Sequence, residues 1–257
     1  MSRNYLFGPF IGEAIYELSY FVGHAIYLRK KNPKNKIIVF TREEHFDFYG
    51  KYATIFIPLR LDKDLIPYKF GCDNMTAKFY DELIRQFASK YKSLMKIHDH
   101  FYPKITSYLK DIKWHYPRNE VNFDFMTRPY NKIIASDILG DADNIILSDL
   151  SGNCTYVNEH FLLPTSYFFR LLDIDKKITS IYGILIEAIK CCKYVHADID
   201  SVVGRLAMLM KIPLITQREF LDVQYLNPIN PYNSIVVGCE KLEDGIKYLE
   251  ETYENNI

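Results

Sequence analysis

Residues 194–216, YVHADIDSVVGRLAMLMKIPLIT, constrain this chain more than any other stretch. They read as strand, tight turn, helix and strand. Tyr194-Val-His-Ala is a short apolar run punctuated by Asp198 and Asp200, and Asp200 or Ser201 is placed to cap the helix that follows. Val202, Val203, Leu206, Leu209 and Met210 recur at helical spacing, and Lys211 lies where the negative end of the helix favours a cation. Pro213-Leu-Ile-Thr then opens a second buried strand. Strands alternating with helices imply βαβ units and a mostly parallel sheet. Ligands of such sheets bind outside the carboxyl ends of the strands, where Asp200, Arg205 and Gln217-Arg218 would gather.

The same alternation recurs along the chain. Tyr5-Leu-Phe reads as a strand, Gly8 to Glu13 as a loop, and residues 14–31 as one helix that Asn32-Pro33 ends. Strands are expected at 36–40, 53–57, 112–116, 144–148 and 234–238, and helices at 76–109 (broken near Pro103), 130–139, 178–192 and 242–253. Residues 151–164 read as irregular. A chain of 257 residues, 48% of them hydrophobic, suffices for two cores. The expected fold class is therefore α/β: two Rossmann-like domains with mostly parallel sheets facing a cleft, residues 1–112 and 113–257.

Several function classes are disfavoured. Lys+Arg and Asp+Glu both number 32, so no basic excess points to nucleic acid. The five cysteines are odd in number and form no C-x-x-C pair, which argues against a disulfide framework or a zinc site and for a reducing, cytoplasmic compartment. The N-terminus does not read as a signal peptide, and no run of 18 apolar residues would span a membrane. His98-Asp99-His100 resembles a metal fragment, but on a helix residues two apart diverge, so no metal is expected. No dinucleotide fingerprint, Walker A sequence or Gly-x-Ser-x-Gly elbow is present. The Lys-, Ile- and Asn-rich, aromatic composition (21 Tyr, 17 Phe) suggests AT-rich coding of the kind found in some viruses.

Glu13 is the first candidate for chemistry. It follows Gly12 at the start of the first long helix, where it is either a general base for a hydroxyl or an ordinary first-turn carboxylate offsetting the helix dipole. Asp200 and Arg205 are the second. They form either a sugar-hydroxyl acceptor with a phosphate-neutralising cation, or a helix cap with a surface Arg. Arg118 and Ser148-Asp149 close other expected strands on the same rim.

Gly12-Glu13 resembles the Gly-Asp/Glu of heptosyltransferase-like glycosyltransferases of the GT-B fold. Asp200-Ser-Val-Val-Gly-Arg205-Leu-Ala207 with Lys-Ile-Pro213 resembles their motif Asp-Thr-Gly-x-Ser-His-x-Ala…Pro. The stretches YLFGPFIGEAIYEL and VFTREEHFDFYGKYATIFIPL are similar to small glycosyltransferase-like proteins of viruses and bacteria. The resemblance implies an inverting, metal-independent transfer from a nucleotide-sugar to a glycan or other hydroxyl acceptor. No cofactor beyond the nucleotide-sugar substrate is expected. By the resemblance Glu13 takes the place of the base and Asp200 that of the donor-sugar contact; Arg118, Ser148, Asp149, Ser201, Arg205, Gln217 and Arg218, read from their positions at strand ends and the helix start, would complete the donor site. Val202 stands where the motif has Gly, and Arg205 where it has His. A non-catalytic nucleotide or sugar-nucleotide binder and a sugar-nucleotide epimerase stay open as alternatives.

Overall fold

A computed structural model of the chain describes residues 2–10, 14–59, 82, 85–86, 89–102, 121, 123–150, 152–173, 181–217 and 234–253. The chain divides into two compact units, Met1–Val121 and Asn122–Ile257. The boundary expected at residues 112/113 lies outside the described residues, as do the strand expected at 112–116, Glu13, Arg118 and Arg218.

Strand β1 (Asn4–Phe7) opens the first unit. A helical run follows: α1 (Ala14–Tyr16), a π-helical segment (Glu17–Val22) and α2 (Gly23–Lys31). The π segment makes this run three pieces where the sequence reads as one helix. Arg29, Lys30 and Lys31 fill the last turn of α2, where they complement its dipole. After β2 (Lys36–Thr41) come two 3-10 turns, Glu43–His45 and Gly50–Tyr52, flanking α3 (Phe46–Tyr49), and then β3 (Ile55–Pro58). Among the described residues the sheet has four strands in the order β3-β2-β1-β4, all parallel. Ile37, Ile38, Val39 and Phe40 are all buried, so β2 is covered on both faces, as parallel strands require.

Strand β4 (Asp99–Phe101) corrects the expected helix over 76–109. Residues 89–95 are helical, but Lys96 turns to φ 49° and the chain then pairs with β1, Leu6 opposite His100. The open backbone edge of β1 overrides the local helical pattern.

Helix α4 (Pro129–Leu139) is the first described helix of the second unit, with Pro129 at the start where its missing N–H costs nothing. Then come β5 (Ile145–Ser148), β6 (Thr155–Val157), β7 (His160–Pro164), α5 (Thr165–Asp173), α6 (Ile181–Lys190), β8 (Tyr194–His196), α7 (Val202–Met210), β9 (Leu214–Gln217), β10 (Val236–Cys239) and α8 (Leu242–Tyr253). Among the described residues the sheet order is β10-β9-β8-β5-β7-β6, parallel except for β6 against β7. Its core gathers Ile146, Leu162, Tyr194, Ile215, Ile246 and Leu249.

The β6–β7 hairpin corrects the stretch read as irregular. Val157 pairs with His160, leaving Asn158 and Glu159 as a two-residue turn at φ 48° and 67°. Two consecutive positive φ values match the twist of a hairpin, but Glu is an unusual residue there, so the turn carries no sequence signal.

Candidate functional site

Each sheet has a point at which the chain reverses the direction in which it adds strands. In the first unit β2 and β3 lie on one side of β1 and β4 on the other. In the second, β7 lies on one side of β5 and β8 on the other. The crevice outside the carboxyl ends of the strands at such a reversal is the usual ligand site of open α/β sheets.

The first reversal lies between β1 and β4. Gly8 leaves β1 with φ +98°, and a Cβ there would stand 2.0 Å from the Phe40 carbonyl oxygen, so only glycine fits. The Gly8 amide donates to the Phe101 carbonyl at 2.8 Å, and His100 Nε2 lies 2.6 Å from the Gly8 carbonyl oxygen. Burial first holds His100 below its ordinary pKa, so the ring is a neutral donor that pins the turn by which the chain leaves β1. On a strand His98 and His100 share a face. Both, however, are spent on β1: His98 Nδ1 accepts the Asn4 amide at 3.0 Å.

Behind this turn lies a polar cluster that the sequence reading missed. Glu17, in the π segment, is 0% exposed. Its Oε2 accepts from Thr41 Oγ1 at 2.9 Å and lies 2.6 Å from His45 Nδ1, while Oε1 accepts from Tyr49 at 2.7 Å. Burial, then the Glu17 charge, raises the Tyr49 phenol well above its ordinary range and keeps it a donor. Glu17 thereby ties the first helical run to the end of β2 and to α3. Its carboxylate is fully enclosed, so its role is to hold these elements rather than to meet a substrate.

The second reversal collects most of the predicted donor residues. Ser201 is the N-cap of α7, its Oγ accepting the Gly204 amide at 3.0 Å. A Cβ on Gly204 would stand 2.1 Å from the Asp198 carbonyl oxygen, so the glycine lets the helix start directly against the strand-end turn. Arg205 is 4% exposed, and its Nη2 lies 3.3 Å from Oδ1 of Asp200, whose side chain is 67% exposed. Arg205, a surface residue in one of its two readings, is thus buried and reaches the rim through Asp200. Ser148 closes β5 at 0% exposure. The Asp149 amide donates to the His196 carbonyl at 2.8 Å, and Thr165 Oγ1 donates to Asp149 Oδ1. Gln217 is exposed at the end of β9, two residues beyond the Ile215 that pairs with His196.

Two residues to which the sequence assigned no role at the site join this rim. Asp198 is half-buried, its Oδ1 has no hydrogen-bond partner among the described residues, and its pKa is raised by burial, then by Asp149 and Asp200. His196 closes β8 with Nδ1 2.9 Å from Ser148 Oγ. Burial lowers its pKa against the opposing pull of Glu243. The available signal was a polar residue ending the apolar run Tyr194-Val195. Next to this rim, at the end of β10 and the start of α8, a cavity of about 510 Å³ is lined by Cys239, Glu240, Asp244 and Tyr248 among others.

Among the described residues no group of three or more His, Cys, Asp or Glu is arranged to hold a metal ion, and no helix is long and apolar enough to cross a membrane. Cys154, Cys191, Cys192 and Cys239 are free thiols.

No protein-family model matches the sequence, and neither does any curated protein. In structure the chain is similar to the glycosyl transferase family 9 protein from Veillonella parvula DSM 2008, with a TM-score of 0.51 and 11% identity over 98% of this chain and 91% of that one. What the two share is the fold, α/β with parallel sheets.

Proposed function

We propose that this protein is a glycosyltransferase of GT-B type. It moves a sugar from a nucleotide-sugar donor to a hydroxyl of a glycan or small acceptor, with inversion and without a metal ion. The observation that carries this reading is the second reversal point. There Ser148 and Asp149, singled out as the end of a strand, and Asp200, Ser201 and Arg205, singled out by a motif resemblance, lie together at the carboxyl ends of parallel strands beside a capped helix start. The likeness in fold to a family 9 glycosyl transferase supports it.

In the proposed reaction Glu13 takes the proton of the acceptor hydroxyl. The acceptor oxygen bonds to the anomeric carbon as the bond from that carbon to the phosphate oxygen breaks, and the nucleoside diphosphate leaves with the electron pair. Such general-base assistance contributes about 10²–10⁴-fold. Asp200 accepts from sugar hydroxyls. Arg118, Arg205 and Arg218, with the amides at the start of α7, balance the charge of the leaving group. The cavity beside β10 has the size of a nucleoside site, with Glu240 and Asp244 as acceptors for ribose hydroxyls.

A second reading, a non-catalytic sugar-nucleotide binder, is favoured by two observations. The buried Arg205 is engaged with Asp200, and Val202 occupies the motif's glycine position, which crowds a phosphate at the helix start. Melting of the protein against UDP, GDP, ADP, dTDP and CMP, with and without Mg²⁺, tests binding. A nucleotide at 100 times its Kd stabilises by about 2.7 kcal/mol. A selective, metal-independent rise in Tm supports both readings, turnover of the matching nucleotide-sugar separates them, and no rise with any nucleotide contradicts both.

A further inference from the structure

The hydroxyl of Ser148 is fully buried, and His196 Nδ1, 2.9 Å away, is its hydrogen-bond partner. This fixes the tautomer. A buried O–H left without an acceptor costs about 1–3 kcal/mol, so the serine proton goes to Nδ1. The neutral imidazole, kept neutral by burial, then carries its own proton on Nε2. His196 is partly buried at the end of β8, directly across the β5–β8 reversal, and its backbone is locked by the amide of Asp149. The structure therefore offers an oriented N–H donor at the carboxyl ends of the strands, where open α/β sheets bind their ligands.

The rim around it sharpens the role. The carboxylates of Asp149, Asp198, Asp200 and Glu243 act only as acceptors when ionised, Ser201 Oγ is spent on its own helix, and Arg205 lies against Asp200. Gln217 also carries donors, but no described group fixes its amide. The start of α7, close by, favours negative charge.

We infer that His196 donates from Nε2 to a phosphate oxygen of the bound sugar-nucleotide, and that Ser148 is a positioning residue that fixes the tautomer and angle of the ring. The inference rests on the transferase or sugar-nucleotide-binding reading of this rim and adds to it a residue outside the recognised motif. A hydrogen bond to a charged group of this kind corresponds to about 10- to 100-fold in affinity.

The test measures affinity for UDP, GDP, ADP, dTDP and CMP, and for the nucleoside matching whichever of them binds. It uses wild type, His196→Ala, His196→Gln and Ser148→Ala. The expected result is a 10- to 100-fold loss of nucleotide affinity in His196→Ala, a smaller loss in His196→Gln, which keeps an N–H donor, and no change for the nucleoside. Nitrogen-15 NMR of the imidazole should show the Nε2–H tautomer in wild type and a mixture in Ser148→Ala, which a purely structural role for Ser148 would not produce. Unchanged nucleotide affinity in a folded His196→Ala, an equal loss for the nucleoside, or an Nδ1–H tautomer in wild type overturns the inference while the transferase reading stands. Failure of wild type to bind any of the five nucleotides overturns both.

Discussion

At the scale of single residues, two side chains show how the fold spends its polar groups. Glu17 is an enclosed carboxylate with three partners, a serious cost if any partner is lost, because its charge has no water to fall back on. Tyr49→Phe removes one donor and should lower unfolding stability by about 1–3 kcal/mol. Glu17→Ala leaves three polar groups facing a hole and should cost about 3–5 kcal/mol. Urea unfolding of both variants checks the order, and equal, near-zero changes would contradict it. Gly204→Ala sets a Cβ 2.1 Å from the Asp198 carbonyl. It should cost about 1–3 kcal/mol as the start of α7 is forced away, again read from urea midpoints. These roles differ in how far they could be read in advance. Glu17 reads as one more helix-surface carboxylate, because its burial follows from the π segment, which rotates the following turns out of register with a 3.6-residue period. His196 was in plain sight within the most informative stretch, yet its meaning depends on Ser148, 48 residues earlier, arriving on the adjacent strand.

At the scale of elements, α7 was legible because everything that defines it is local: Ser201 as cap, the apolar positions at helical spacing, and the glycine beneath the turn. Ser201→Ala should cost about 1 kcal/mol of stability. Strand β4 was illegible because Asp99-His-Phe101 has no strand pattern of its own and pairs only because β1 offers an edge more than 90 residues away. Both reversal points end on a histidine whose pKa is lowered by burial, His100 on β4 and His196 on β8. Below the ordinary value of 6.5 the unfolded chain takes up protons at these rings that the folded protein refuses. Their contribution therefore makes stability fall as pH drops through 6.5 toward each lowered value. The double variant His100→Asn, His196→Asn should be less stable than wild type at neutral pH but lose less stability between pH 7 and pH 5. Parallel pH profiles for the two proteins would contradict this.

At the scale of the whole molecule, the chain resolves into two units, each built on a mainly parallel sheet and each with a polar cluster at a reversal of strand order. The α/β class was readable from alternating apolar runs, and the second unit's rim from residue types at strand ends. The geometry of that rim was not, because hydrogen bonds such as Ser148–His196 and Thr165–Asp149 link residues brought together only by the sheet. In the proposed function these parts serve sugar transfer, with Glu13 as the base. The most direct test incubates wild type and Glu13→Gln with a panel of UDP-, GDP-, ADP-, dTDP- and CMP-sugars and hydroxyl acceptors, and follows nucleotide release and glycosylated product. Wild type is expected to turn over one donor class selectively, and Glu13→Gln to lose at least 100-fold while nucleotide affinity stays within a few-fold. Turnover in Glu13→Gln within a few-fold of wild type, or no turnover by wild type of any donor, would contradict it.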